Sequence, residues 1–123
     1  MIKEKDILLN LMTWPEIKQR LKQTDIALLP VGQTEQHGRH LPLDVDNFIC
    51  SGIAKRVAIA TYETAKPVVA PTIAFGYSDL PSFNRYPGTF NLNPDTLVKA
   101  YKEVAISLVN MGFKKVIFIN GHS

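Results

Sequence analysis

The sequence predicts an α/β protein of three layers, a mainly parallel sheet flanked by helices. Three observations predict it. Apolar, β-prone runs at Ile26–Val31, Pro67–Ile73 and Val116–Ile119 alternate with longer stretches of helical periodicity, the pattern that right-handed crossovers turn into a parallel sheet. The runs are apolar throughout rather than at every second position, as in strands covered on both faces. Two of them end abruptly in polar, histidine-containing segments, where open α/β sheets collect their ligands.

Leu11–Gln23 reads as the first helix, because Thr13 and Glu16 form a capping box and Pro15 is tolerated in a first turn. Ile17 and Leu21 share one face of it, with Trp14 expected below them as a packing anchor. Ile26–Val31 is the first strand. Asn47–Thr61 reads as a helix with Asp46 at its N-cap. Its apolar stripe is Phe48, Ile49, Ile53, Val57 and Ile59, with Lys55 and Arg56 outside. Cys50 in this stretch reads as a small buried hydrophobe. Pro67–Ile73 is the second strand, ending or bulging at Pro71.

Ala74–Phe90 is a long link with too many prolines and glycines for regular structure. Loops of this length often cover a site, and Tyr77, Phe83, Arg85 and Tyr86 are candidates either to line a pocket or simply to pack. Asn93 and Pro94 then open a helix as N-cap and first residue. Leu97, Val98, Tyr101, Val104, Ala105, Leu108 and Val109 give its apolar face, and Gly112 closes it in a left-handed conformation. Val116–Ile119 is a third buried strand. It runs into Asn120, Gly121 and His122, with Gly121 expected at positive φ.

Composition narrows the function classes. The chain has 123 residues, the size of one domain spanning 1–123, with 46% hydrophobic and 20% charged residues, as in ordinary globular proteins. Fourteen basic against eleven acidic residues give +3. The basic residues are scattered without interleaved aromatics, so no nucleic-acid partner is expected. No apolar run approaches the roughly 20 residues of a membrane span. The N-terminus lacks a signal-peptide pattern, and the single cysteine forms no internal disulfide. The expectation is a cytoplasmic protein without a membrane partner. Neither phosphate-binding glycine pattern follows the first strand, which sets aside a nucleotide-binding domain.

The segment Leu28–Asp46, LLPVGQTEQHGRHLPLDVD, switches from core-like to ligand-like. Glu35 and His37 lie two apart and point the same way in an extended loop. Asp46 at a helix start can face the same space, and His122 joins them if the first and third strands are neighbours. Two carboxylates with two imidazoles suit zinc, manganese or iron. One aspartate can bridge two cations about 3.5–4 Å apart, as in two-metal hydrolases. Spacing alone leaves His37 open as a histidine satisfied within its loop. His40 and Asp44 read as exposed groups or groups orienting a ligand.

PVGQTEQHGRHLPLDVD closely resembles the creatininase (creatinine amidohydrolase) family signature, PxGSxEQHGxHLPLxTD. VIFINGH resembles that family's strand ending in Asn-Gly-His, and Tyr86–Thr89 resembles its Phe-Pro-Gly-Thr element. The resemblance runs from about Ile26 to the last residue. It implies a two-metal hydrolase of carbon–nitrogen bonds in amides, with an α/β fold and usually a homohexameric assembly. Carried over by position, Glu35, His37, Asp46 and His122 match metal ligands, with Asp46 bridging. Creatinine, a formylated pyrimidine intermediate and a peptide bond are all substrates within such a family.

The departures are specific. Gln33 stands where serine is usual, and no histidine precedes the Tyr86–Thr89 element. A further glutamate ligand two residues beyond the His122 position, and the family's second half, fall past Ser123. The chain is therefore read as the N-terminal half of a creatininase-like domain. It would act on a small-molecule amide, or else be inactive alone and assemble as a homo-oligomer or with a complementary C-terminal chain.

Overall fold

The computed structural model describes residues 1–79 and 85–123; the position assigned to Phe83 lies outside them. The elements are α1 (Glu4–Ile7), a 3-10 turn (Leu9–Leu11), α2 (Trp14–Arg20), β1 (Ile26–Val31), α3 (Val45–Ala60), β2 (Val68–Val69), α4 (Pro94–Met111) and β3 (Lys115–Asn120). All strands are parallel, in the order β2-β1-β3. Among the described residues no helix is long and apolar enough to cross a membrane.

Local chemistry sets the helix ends. Glu16 reaches back to the Thr13 backbone N–H and hydroxyl, both at 2.7 Å, so α2 starts where its capping box places it. Asn93 accepts from the Asp95 N–H at 2.9 Å, and Gly112 ends α4 at φ 124°. The short helix α1 was not expected; Asp6 caps it by accepting from the Lys3 N–H at 2.7 Å. Its four residues are too few for a periodic signal.

The sheet is covered on both faces, as its composition predicts. Ala27, Leu29 and Val31 pack on one side with Leu108, Phe113 and, partly buried, Ile17, Tyr101 and Val104. Leu28 and Val69 pack on the other side with Ile7, Ala54 and Ala58. Each fully buried Leu, Val or Phe side chain contributes about 1.5–3 kcal/mol of transfer free energy.

Several expectations are corrected. Trp14 is 75% exposed, so it anchors no core. The apolar stripe of α3 faces outward, with Phe48 74% exposed, while Cys50, Ala54 and Ala58 face the sheet. The cause is close approach: a Cβ on Gly32 would meet the Asn47 Oδ1 at 2.3 Å, and one on Gly121 would meet the Asp46 carbonyl oxygen at 2.3 Å. Only small side chains fit so shallow a gap between helix and sheet. Gly121 is thus required by contact and does not have positive φ. The N-cap of α3 is Asp44, not Asp46. On α4, Val98 and Val109 lie outside.

The second strand shrinks to two residues. The Ala70 N–H donates to the Leu28 carbonyl at 2.8 Å and the Ile73 N–H to the Pro30 carbonyl at 3.0 Å. Three steps on one strand match two on the other, so an extra residue bulges at Pro71–Thr72. Pro30 lacks the N–H that would continue the ladder toward β2. The third strand is not buried: Ile117 is 46% and Phe118 43% exposed, because β3 lies at the sheet edge.

Strand order fixes where the chemistry goes. The connection from β1 through α3 reaches β2 on one side, and the connection from β2 through α4 jumps over β1 to β3 on the other. The two crossovers part between β1 and β3, and the crevice at the carboxyl ends of those strands is the standard ligand position in doubly wound sheets.

Candidate metal centre

Val31 and Asn120 are register partners at the carboxyl ends of β1 and β3, so the residues after each emerge side by side. Glu35 and His37 follow β1, His122 follows β3, and Asp46 sits in the first turn of α3. A helix N-terminus favours a carboxylate, and the Gly32 and Gly121 contacts hold that turn against both strand ends. All four predicted residues line one cleft of about 540 Å³, together with Tyr77, Ser78, Asp79, Gly121 and Ser123.

Glu35 is 4% and Asp46 6% exposed. Ligand atoms of Glu35, Asp46 and His122 all lie within 4.8 Å of one another. The His122 Nδ1 is 3.0 Å from Asp46 Oδ2 and 3.6 Å from Glu35 Oε2. The His37 Nε2 is 3.2 Å from the other Asp46 oxygen, Oδ1. Among the described residues the ion-pair partners of these two buried carboxylates are histidines alone.

The far nitrogen of each ring decides what that means. The His122 Nε2 is 2.8 Å from the Tyr77 carbonyl oxygen, and the His37 Nδ1 is 2.9 Å from the Glu35 carbonyl oxygen. A carbonyl only accepts, so those nitrogens carry the protons. In the neutral rings a lone pair on His122 Nδ1 and another on His37 Nε2 then point at carboxylates. Two buried electron-rich groups at this range need a positive charge between them, a proton or a metal cation. Histidines tied by one N–H to a backbone carbonyl, with the other nitrogen free, have the arrangement of metal ligands. The donor set of carboxylate oxygens and imidazole nitrogens suits a divalent ion such as zinc or manganese.

Residues that spacing did not single out complete the site. The Ser78 hydroxyl donates to Glu35 Oε1 at 2.5 Å and lies 3.3 Å from His122 Nε2. No pattern in the sequence marks it, since it arrives from the irregular link. Asn120 clamps the His122 main chain: its Oδ1 accepts from the His122 N–H at 3.1 Å and its Nδ2 donates to the His122 carbonyl at 2.6 Å. Gln33, fully buried, accepts from the Gly76 N–H at 2.7 Å and donates to Asn91 Oδ1 at 3.2 Å, tying the link to the end of β1.

Of the other described candidates, Tyr77 reaches the cleft and the rest fall outside it. His40 is exposed. Asp44 accepts from the Asn47 amide at 3.0 Å and so steadies the first turn of α3. Tyr77 contributes its carbonyl, while Tyr86 lines a neighbouring cleft with Arg39 and Leu43, and Arg85 is exposed. Cys50 is fully buried as expected, and burial pushes its thiol pKa up, so it stays protonated.

Known proteins resemble this chain over most of its length. A 3-dehydro-scyllo-inosose hydrolase of Thermotoga maritima is 36% identical over 111 residues, covering 90% of this chain and 34% of that protein. A creatinine amidohydrolase of Pseudomonas putida is 31% identical over 122 residues, covering 96% of this chain and 45% of that one. A crystal structure of creatinine amidohydrolase superposes with a TM-score of 0.86 at 30% identity, over 96% of this chain and 46% of that chain. Solved creatininase forms include one with manganese and one of Zn-Zn type. The chain thus spans between a third and a half of the length of the relatives it matches. The family model for creatinine amidohydrolase matches residues 10–123, and the chain belongs to the creatininase family.

Proposed function

We propose that this chain carries the metal-binding part of a hydrolase acting on a carbon–nitrogen bond of a small-molecule amide, with two divalent cations bridged by Asp46. The observation that carries the reading is the division of the Asp46 carboxylate. One oxygen faces His37 and the other faces His122, with Glu35 on the His122 side. Two ligand groups sharing one carboxylate make two adjacent cation positions. Zinc, manganese and iron all suit such donors.

Bound cations of this kind polarise an amide carbonyl and make water nucleophilic near neutral pH. The chain's own residues prepare the setting. The Tyr77 and Glu35 carbonyls hold the imidazole protons away from the cleft. Ser78 fixes one Glu35 oxygen and leaves the other facing His122. The cleft of about 540 Å³ suits a small molecule. The amidohydrolase and inosose hydrolase activities named for its relatives favour hydrolysis as the reaction class.

The deciding experiment is metal analysis of the purified chain with Glu35→Ala, His37→Ala and Asp46→Asn variants. Loss of metal in Asp46→Asn and about half the metal in His37→Ala support two bridged positions. Unchanged metal content in all three would falsify the site.

A further inference from the structure

Arg20 is a buried charge with no carboxylate partner among the described residues. It ends α2, is only 8% exposed, and belongs to none of the ion pairs found there. Two of the five N–H groups of its guanidinium have protein partners: Nη1 donates to Gln23 Oε1 at 2.8 Å and Nη2 to the Lys66 carbonyl at 2.9 Å. Nε is shut from water and has no acceptor among the described residues, a state that native structures seldom hold without a reason. The guanidinium carbon stands 5.2 Å from the centre of the Tyr62 ring, and a ring face offsets only part of the cost of burying a cation. A second cation crowds the same ring, the Lys66 ammonium at 5.9 Å. Lys66 is also the one non-glycine among the described residues at positive φ, 47°, a conformation that costs energy and collects at functional sites.

Arg20 lines a cavity of about 360 Å³ between α1, α2 and the end of α3, with Met12, Pro15 and Tyr62 among its walls. We infer that this cavity binds a small organic monocarboxylate, paired with the Arg20 guanidinium and packed against Tyr62, Met12 and Pro15. A planar carboxylate matches the two-pronged N–H array of arginine, and the volume fits a small molecule with an apolar body. Two acids share the cavity, and both are engaged in helix caps: Asp6 accepts from the Lys3 N–H and Glu16 from the Thr13 N–H and hydroxyl, each at 2.7 Å. Their charges favour a ligand with one negative charge over a polyanion such as phosphate. The cavity lies where the strands begin, since Arg20 precedes Ile26 and Tyr62 precedes Val68. It is therefore on the opposite rim from His122, and no residue lines both it and the metal cleft. Nothing in this inference rests on the hydrolase reading above.

The test is titration of the metal-free 123-residue chain with phenylacetate, followed by NMR at the Arg20 Nε–H and the Tyr62 ring. Nε lies beneath the cavity surface, so its pairing needs the guanidinium to rotate, and its own N–H reports that event. Expected are saturable shifts at both groups while the His37 and His122 imidazoles stay unmoved. Phenylacetamide, the same body without the charge, is expected to bind at least about tenfold more weakly, as loss of a charge-assisted hydrogen-bond pair requires. Inorganic phosphate is expected to bind as weakly. Arg20→Lys keeps the charge but loses the fork, and is expected to weaken phenylacetate binding by about tenfold. Absence of saturable shifts at Arg20 overturns the inference, as do equal binding of phenylacetamide and unchanged affinity in Arg20→Lys. Phosphate binding as tight as phenylacetate overturns it in favour of a general anion site. Shifts confined to His37 and His122 overturn it by placing the carboxylate in the metal cleft. The three ligand arms use the unaltered chain, so they decide the matter even if Arg20→Lys fails to fold.

Discussion

The Nδ1 of His122 lies 3.0 Å from the Asp46 carboxylate although 76 positions separate the two residues. The contact exists because β3 is the neighbour of β1 and because Gly121 has no side chain to keep α3 at a distance.

Gly121→Ala is therefore expected to act on both stability and site. Its Cβ would meet the Asp46 carbonyl at 2.3 Å and the Cys50 Cβ at 3.0 Å, and overpacking of this kind costs about 1–3 kcal/mol. Urea denaturation of the metal-free chain measures the first effect. Metal titration should show a further loss of affinity, because the strain moves Asp46 relative to His122. An unchanged midpoint would mean that the helix and strand end are not pressed together.

Ser78→Ala removes the donor that fixes Glu35. Loss of a group that orients a ligand lowers metal affinity by about 10- to 100-fold, and competition with a chromogenic chelator reads it. Thermal stability of the metal-free form should change little. A large stability loss with unchanged affinity would assign Ser78 to folding alone.

Gln33→Leu keeps the volume roughly but deletes the acceptor for the Gly76 N–H and the donor to Asn91. The stranded buried partners cost about 1–3 kcal/mol. Hydrogen exchange should quicken first at Gly76, before the core strands. Uniform acceleration throughout the chain would contradict a local tie.

Asp25 pairs with Lys115 at 2.9 Å, and this hydrogen bond holds the Asp25 carboxyl below its ordinary range. A depressed folded-state pKa contributes stability that is present above the unfolded value and lost as pH falls through the folded one. An NMR titration should show Asp25 titrating low, returning to the ordinary carboxylate value in Lys115→Gln. The contribution should shrink with added salt, since the pair is exposed. Identical titration in both proteins would rule out the pairing.

The layered fold was legible because continuous apolar runs and helix caps are local signals: Thr13, Asn93, Pro94 and Gly112 all act where they stand in the sequence. The four residues that share the cleft were legible through an unusually specific motif. Three kinds of feature were not. The outward stripe of α3 misled because helical periodicity marks an apolar face but not which face meets the sheet, and Gly32 and Gly121 choose the small-residue side. β3 looked buried because its composition suits an interior strand, whereas burial depends on a neighbour. Ser78 and the role of Gln33 depend on where an irregular link crosses β1, which no period encodes.

The main-chain carbonyls of Glu35 and Tyr77 set the tautomer of each imidazole. Side-chain scanning is blind to such a device. Position 77 keeps its acceptor whatever residue occupies it, so replacing Tyr77 leaves the proton on His122 where it is. What does move that acceptor is the path of the chain from the Pro71–Thr72 bulge onward. Backbone edits there, such as deleting the extra residue, are predicted to reach the histidine that substitutions at 77 cannot.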